Sequence, residues 1–527
     1  MKNDGRHTKV AKNAISLSVV SVLVVLISFV KESVIAYHYG ATAYTDAYNI
    51  SIDTPTIIFT FISMAISTVV VPVYTKTLVE CDRDRANYFF RNFTTMVFIS
   101  YLAVVLAGEL CSYYLLKVLA PGLASETIHL ATRFFRLTLP AMGLGLLCKI
   151  NTGVLNSYKN FLLPSLSPIF FNLAISFSII AFEKKIGIYA AIVGIVFGMG
   201  LELLYTSCLR NKYVRYKPTL NIHDETTISA LKMAGPVFLG MGATEINVIV
   251  DKVLASFFEE GSISALNYAS KLSRGISTLF IASITTVIFP ELAGHIANRD
   301  EKKAAETYIF SIRLFIILLM PIIVGGVFLS REIMILVYGR GAFDLSAVNM
   351  TTPIFSAYFV ALLFTGGRQV GMNFLYSHGD SKTAMKNTVI GVGVNVILDI
   401  VLSKIMGVVG LAIATTLSVA VISILLMRSA KQKNAYVFYR ECLLLFFQTF
   451  LACGGMLAVI WLFKKLFVYV GCYDENVTKM LFIFTVGAVF LGACVYFLEL
   501  CLLRVNEMLR FWGMMKSKLI KLKNGKV

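Results

Sequence analysis

On a helix, Asp46, Asn49, Asp53, Thr56 and Thr60 fall alternately three and four residues apart, so they form one narrow polar stripe on an otherwise apolar segment. Lys31 and Glu32 precede this stripe, between two long apolar runs at 13–30 and 57–73. A second stripe carries Asn267, Lys271, Arg274 and Thr278, and a shift of 218 residues moves Asn49, Asp53, Thr56 and Thr60 onto those positions. The first stripe is acidic and the second basic. Lys31, Lys271 and Arg274, with Arg368 as a further candidate, could bind a phosphate or pyrophosphate, Arg274 through its bidentate fork. Glu32, Asp46, Asn49 and Asp53 complete this candidate binding surface. Arg136 and Lys149 are weaker candidates that could snorkel to an interface. A plainer alternative is that Lys31, Asp53, Lys271 and Arg274 merely neutralise one another.

A second constellation has different chemistry. Asn395 and Asp399 lie one helical turn apart, and Asp251, Thr415 and Thr416 sit on neighbouring apolar segments. A carboxylate pair with amide, hydroxyl and backbone oxygens has the composition of a hard-cation cage, able to hold Na⁺ or exchange protons. The alternative is a polar contact between helices, with Asp251 paired to Lys252 or Lys271. Spacing alone does not choose between them.

Enzyme chemistry finds no support. The sequence has no GxSxG, HExxH or P-loop, and its six histidines are dispersed. The nine cysteines show no CxxC spacing and lie mostly in apolar runs, where a thiol is a small hydrophobe. Neither a disulfide framework nor a cofactor is expected.

The elements that must position these residues are membrane spans. Hydrophobic residues make up 57% of the 527 and charged residues 15%, with a mean hydropathy of +0.76. A soluble domain is about a quarter charged. Hydropathy gives fourteen candidate helices, from 11–37 to 478–503, joined by connections too short for a soluble domain. The net charge of +18 gathers at 76–91, 210–217, 299–313, 428–440 and 504–526, which places those segments and both termini in the cytoplasm. This pattern accounts for the charge without a nucleic-acid partner. The first run is too long for a signal peptide and is taken as a retained helix.

The chain also repeats weakly. VIAYHYGATAYTDAYNIS (34–51) matches VLASFFEEGSISALNYAS (253–270), and GIYAAIVG (187–194) echoes GVVGLAIA (407–414). The offset corresponds to six helices, so the two copies share an orientation and relate by a pseudo-two-fold axis along the membrane normal. The expected fold is an all-α polytopic membrane protein with 14 transmembrane helices. It divides into an N-lobe at 1–218, a C-lobe at 219–435, and two added helices with a basic tail at 436–527. Two lobes around a midplane cavity form a transporter architecture.

KESVIAYHYGATAYTDAYNISIDTP (31–55) resembles the opening signature of the MurJ (MviN) family of lipid II flippases. Further matches are LAPGL (119–123), NSYKNFLLPSLSPIFFN (156–172), NYASKL (267–272), VIFPELA (287–293), YGRGAF (338–343) and FLYSHGDSKTAMK (374–386). The resemblance extends to the multidrug/oligosaccharidyl-lipid/polysaccharide exporter superfamily. It implies outward flipping of an undecaprenyl-pyrophosphate-linked peptidoglycan precursor across the bacterial cytoplasmic membrane, by alternating access. Other polyprenyl-linked glycans are the alternative cargo, and cation-coupled drug antiport is a more distant one. The resemblance places Lys31 and Lys271 at cavity arginine positions and Asp46 in the TDA motif. It also implies a sodium site at Asp251, Asn395, Asp399 and Thr415, with the Leu411 carbonyl, and so Na⁺ as a coupling ion. Lipid-linked oligosaccharide and membrane lipid are the implied partners, the cell-wall synthesis machinery is a further candidate, and the chain is expected to be a monomer. Val25, Phe59 and Thr60 stand where the family often has arginines.

Overall fold

The computed structural model describes residues 4–471, 473, 474, 477–505, 507 and 508, and gives the backbone alone for 4–15, 234–244, 246, 282, 283, 286 and 287. Among the described residues all regular structure is helical. The helices are α1 (Asp4–Tyr39), α2 (Ala43–Glu80), α3 (Arg83–Leu119), α4 (Ser125–Ser157), α5 (Leu162–Ser165), α6 (Ser167–Ile186), α7 (Tyr189–Arg210), α8 (Glu225–Ala255) and α9 (Ser262–Ser277). They continue as α10 (Ser283–Ala297), α11 (Glu301–Phe328), α12 (Ser330–Val337), α13 (Leu345–Ser377), α14 (Ser381–Met406), α15 (Val408–Lys433), α16 (Arg440–Tyr469) and α17 (Thr478–Leu502). Among the described residues, twelve spans are long and apolar enough to cross a membrane. α8 and the α9–α10 run correspond to the other two spans expected from hydropathy. Span eight is not one uniform helix, because a π-helical turn at Thr278–Ala282 separates α9 from α10. The protein is an all-α polytopic membrane protein.

Two compact units emerge. The first holds the chain up to Tyr268 together with Arg340–Ala347 and Asp399–Val408; the second holds Ala269–Gly339, Val348–Leu398 and the chain from Val409. In the first, α4 packs against α2, α3 and α7, α6 pairs with α7 and α1, and α8 lies on α2 and α3. Phe89, Phe90, Phe93, Phe134 and Phe135 are fully buried there. In the second, α11 packs on α10 and α16, and α16 pairs with α17. Ion pairs hold the α16–α17 pair at both ends. Lys464 pairs with buried Glu332, which also accepts from Tyr473 Oη at 2.9 Å. Arg313 binds Glu507 through Nε at 2.6 Å and Nη2 at 2.9 Å, and also pairs with Glu441.

Prolines interrupt several spans, and side chains repair two of the breaks. Pro55 has no N–H for the Ser51 carbonyl four residues earlier; the Thr138 hydroxyl of α4 donates to it at 2.8 Å. Pro321 likewise leaves the Ile317 carbonyl without its helical donor, and Tyr496 Oη of α17 donates at 2.9 Å. A buried carbonyl left without a donor costs about 1–3 kcal/mol. These hydroxyls therefore satisfy the proline-interrupted helices and tie them to their neighbours.

The basic residues near the start of α3 hold the connector between α7 and α8. Arg83 Nη2 donates to the Tyr213 carbonyl at 2.7 Å, and Arg91 Nε to that of Arg215 at 3.0 Å. Asn92 both donates to the Asn221 carbonyl and accepts from its N–H. Asp224 caps α8, accepting from Thr227 N at 2.9 Å and Arg85 Nη2 at 2.6 Å. Burial pushes the Asp224 carboxyl up, but hydrogen bonds from Thr227 and Arg85 outweigh it and hold the carboxyl below its ordinary value.

Tyr496→Phe removes the donor and leaves the Ile317 carbonyl buried. It is expected to lower the melting temperature in detergent by an amount equivalent to about 1–3 kcal/mol; an unchanged melting curve would contradict this role. The depressed Asp224 carboxyl contributes stability that is full above the unfolded-state value near about 4 and is lost as pH falls through its lower folded value. Proteolytic nicking of the 211–224 connector should therefore rise only in that acid range, and Asp224→Asn should abolish the pH step.

Candidate functional site

The acidic stripe lies along α2, and its first half is spent on another helix. The first N–H groups of any helix lack partners within it. At α9 they find the Asp46 carboxylate. Asp46 Oδ2 accepts from Gly261 N at 2.7 Å, and Oδ1 accepts from Ser264 N at 2.8 Å and Ser264 Oγ at 2.6 Å. The negative charge also complements the positive end of the α9 dipole. Asn49 Nδ2 donates to the same Ser264 hydroxyl at 3.1 Å. Ser264 stands 218 residues after Asp46, the same shift that relates the two polar stripes. Asn267, the repeat mate of Asn49, donates to Asp53 Oδ2 at 3.2 Å.

Accessibility grows from Asp46 to Thr56. Asp46 is 1% exposed and Asn49 4%, while the Asp53 side chain keeps 21% and Thr56 faces outward. Asp46 and Asn49 thus hold the helix pair together, and the accessible part begins at Asp53. Lys252 of α8 brings a cation to Asp53, with Nζ 2.7 Å from Oδ2. Lys31 pairs with its neighbour Glu32 at 2.8 Å.

The cations of the basic stripe, Lys271 and Arg274, lie in the second unit. Arg274 is exposed, and its guanidinium donates to the Ser270 hydroxyl at 3.1 Å. Lys271 is half-buried, one turn of α9 after Asn267. On α13, Arg368 Nε is buried with no hydrogen-bond partner among the described residues. Phe59, at a family arginine position, is buried against Tyr101 rather than offered to a path.

The cation-cage residues fall partly together. Asp251 of α8 and Asp399 of α14 share the first unit, and their carboxyl groups lie close enough to act on each other electrostatically. Two neighbouring buried carboxylates are costly unless a proton or a cation compensates their charge. Asp251 Oδ1 is buried with no hydrogen-bond partner among the described residues, which leaves it open to one more ligand. Asn395 lies one turn from Asp399 on α14. In the second unit the Thr415 hydroxyl donates to the Leu411 carbonyl at 3.1 Å, so these two oxygens sit side by side. The donor set fits a hard cation in composition: carboxylate, amide, hydroxyl and carbonyl.

At one end of the first unit, turns meet through backbone. Gly40, at φ +63°, lies so close to Ala342 that a Cβ would fall 2.3 Å from its carbonyl oxygen. Gly261, at φ +87°, would place a Cβ 2.2 Å from the Ala41 oxygen. Ala342 N donates to the Tyr37 carbonyl at 2.8 Å, Gly122 N to Ser256 Oγ at 3.1 Å, and Tyr268 Oη to the Gly40 carbonyl at 3.2 Å. The segments 37–46, 120–124, 256–268 and 340–343 therefore close this end with little room for side chains.

Sequence reasoning does not single out Lys252, Gly261 or Ser264 as site residues. For Ser264 a signal exists, since it is the 218-residue image of Asp46. Lys252 enters from sequence only as an alternative partner for Asp251.

A helical bundle with repeat-related spans, charges within the membrane segments and a backbone-sealed end defines a multi-pass membrane transporter. The sequence profile of the family described as "Lipid II flippase MurJ" matches residues 35–478. Among curated relatives, a "Probable lipid II flippase MurJ" of Buchnera aphidicola subsp. Baizongia pistaciae is 27% identical over 466 residues, covering 87% of this chain and 90% of its own. One of Rickettsia prowazekii is 23% identical, covering 94% and 98%. A solved "Lipid II flippase MurJ, inward closed conformation" superposes with a TM-score of 0.74 at 24% identity, over 92% of this chain and 100% of that one. An inward-facing multidrug resistance MATE family transporter of the MOP superfamily gives 0.64 at 12% identity, over 80% and 95%. This chain belongs to the MurJ family.

Gly261→Ala adds a methyl where both backbone conformation and the Ala41 oxygen forbid it. The variant is expected to loosen this end. In a cysteine-depleted background, Thr42→Cys should react faster with a membrane-impermeant maleimide when Gly261→Ala is present. Equal rates would show that the turns do not depend on that contact.

Proposed function

We propose that this chain flips lipid II, the undecaprenyl-pyrophosphate-linked peptidoglycan precursor, from the inner to the outer leaflet of the bacterial cytoplasmic membrane. The observation that carries this reading is family membership over residues 35–478. The cations Lys31, Lys271, Arg274 and Arg368 support it, because they suit a pyrophosphate and oppose a cationic drug as cargo. No catalytic step is required. A pyrophosphate–sugar head group does not cross hydrocarbon unaided; the protein supplies a polar path while the polyprenyl tail stays in lipid.

In this reading both termini and the basic connectors face the cytoplasm, so the end sealed by Gly40, Gly261 and Ala342 is the outer gate. The head group enters from the cytoplasmic side, and the lobes at 1–218 and 219–435 alternate access around it. The Asp251–Asp399 carboxyl pair of the first unit would take up Na⁺ or a proton that couples transport to an ion gradient. The membrane potential adds about 2.3 kcal/mol per charge per 100 mV.

Expression in bacteria depleted of their own lipid II flippase tests this directly. Growth should be rescued, reduced by Lys271→Ala and lost in Asp399→Ala at equal membrane abundance. Failure of the well-inserted parent chain to rescue would transfer the function to another polyprenyl-linked glycan. Full rescue by Asp399→Ala with unchanged Na⁺ dependence would remove the coupling role.

A further inference from the structure

We propose that Lys252 is a phosphate ligand for the transported head group, held in reserve by Asp53. The inference rests on the reading of a pyrophosphate-linked cargo. The two repeat copies differ in sign at one position: Asp53 stands where its 218-residue image is Lys271. Lys252, on α8, brings a positive charge to the Asp53 position from outside the stripe, with Nζ 2.7 Å from Oδ2. The first stripe thus gains a cation that its own sequence lacks.

Three features make the pair exchangeable rather than fixed. Both side chains keep some exposure, 13% for Lys252 and 21% for Asp53, whereas Asp46 further up the stripe is sealed. Asp53 also accepts from Asn267 Nδ2, so it retains a donor when the ammonium leaves. A lysine is a point charge on a flexible four-carbon stem with three donors, and it can follow an anion without moving its helix. A partly desolvated ammonium does not leave a carboxylate for water alone, because the lone charges would be costly. A phosphate offers a stronger replacement. Binding of the head group then leaves Asp53 facing Asn267, and release of the head group restores the ion pair.

The test measures binding of undecaprenyl pyrophosphate to the full chain in nanodiscs, with inorganic pyrophosphate as a competing probe. Lys252→Gln should weaken binding about tenfold, the worth of one charge-assisted contact. Asp53→Asn should tighten it several-fold, because the ammonium no longer has to be taken from a carboxylate. The double variant Asp53→Asn/Lys252→Gln removes both charges and should lose that gain. Competition by inorganic pyrophosphate should show the same order if the phosphates, not the tail, are what Lys252 binds. If the parent chain binds the lipid but Asp53→Asn brings no gain and the double variant no loss, the pair is structural and the inference falls alone. If the parent binds neither probe, the pyrophosphate-cargo reading falls first and this inference with it.

Discussion

A helix that begins inside a membrane protein has donors and no water to take them. At α9 the solution is a carboxylate from α2: Asp46 accepts from Gly261 N, Ser264 N and Ser264 Oγ. This contact sets the register of the two helices. One turn further on, Asn49 meets the same serine, and beyond it Asn267 meets Asp53. The Lys252 ion pair is assembled on a frame that Asp46 has already fixed. The contact also brings Gly261 against Ala41, so the closed end and the polar stripe share one support.

The stripe therefore has two functions along its length. Its buried half joins repeat-related helices through the short side chains of Asp46, Asn49 and Ser264. Its accessible half, from Asp53, carries the ion pair with Lys252. Residues of similar chemistry are separated only by depth. The Asp251–Asp399 pair follows the opposite logic: two acids are brought close together where each alone would be costly, so a proton or a cation there relieves their repulsion.

Much of the architecture was legible in the sequence. Hydropathy located the spans, and the 218-residue offset related the two stripes, but the contact of Asp46 with Ser264 was not drawn from it. Periodicity showed which residues share a face but not how deep each lies, so it grouped Asp46 with Asp53 as equals. Lys252 escaped because its partner is far away in the chain on another helix, and adjacency to Asp251 suggested a nearer one. The π-turn at Thr278–Ala282 has no hydropathic signature, since it adds to an apolar run without changing its character. The hydroxyls of Thr138 and Tyr496 could not be matched to Pro55 and Pro321 from spacing, because those pairings depend on which helices pack together.

These two hydroxyls have a mechanical consequence. A helix normally resists sharp bending because its backbone hydrogen bonds must break. At Pro55 and Pro321 there is no such bond to break, and a neighbour's hydroxyl occupies the gap. Each site behaves as a joint with a catch. Its stiffness is set by one side-chain contact, and the catch is supplied by the helix against which the bend would swing.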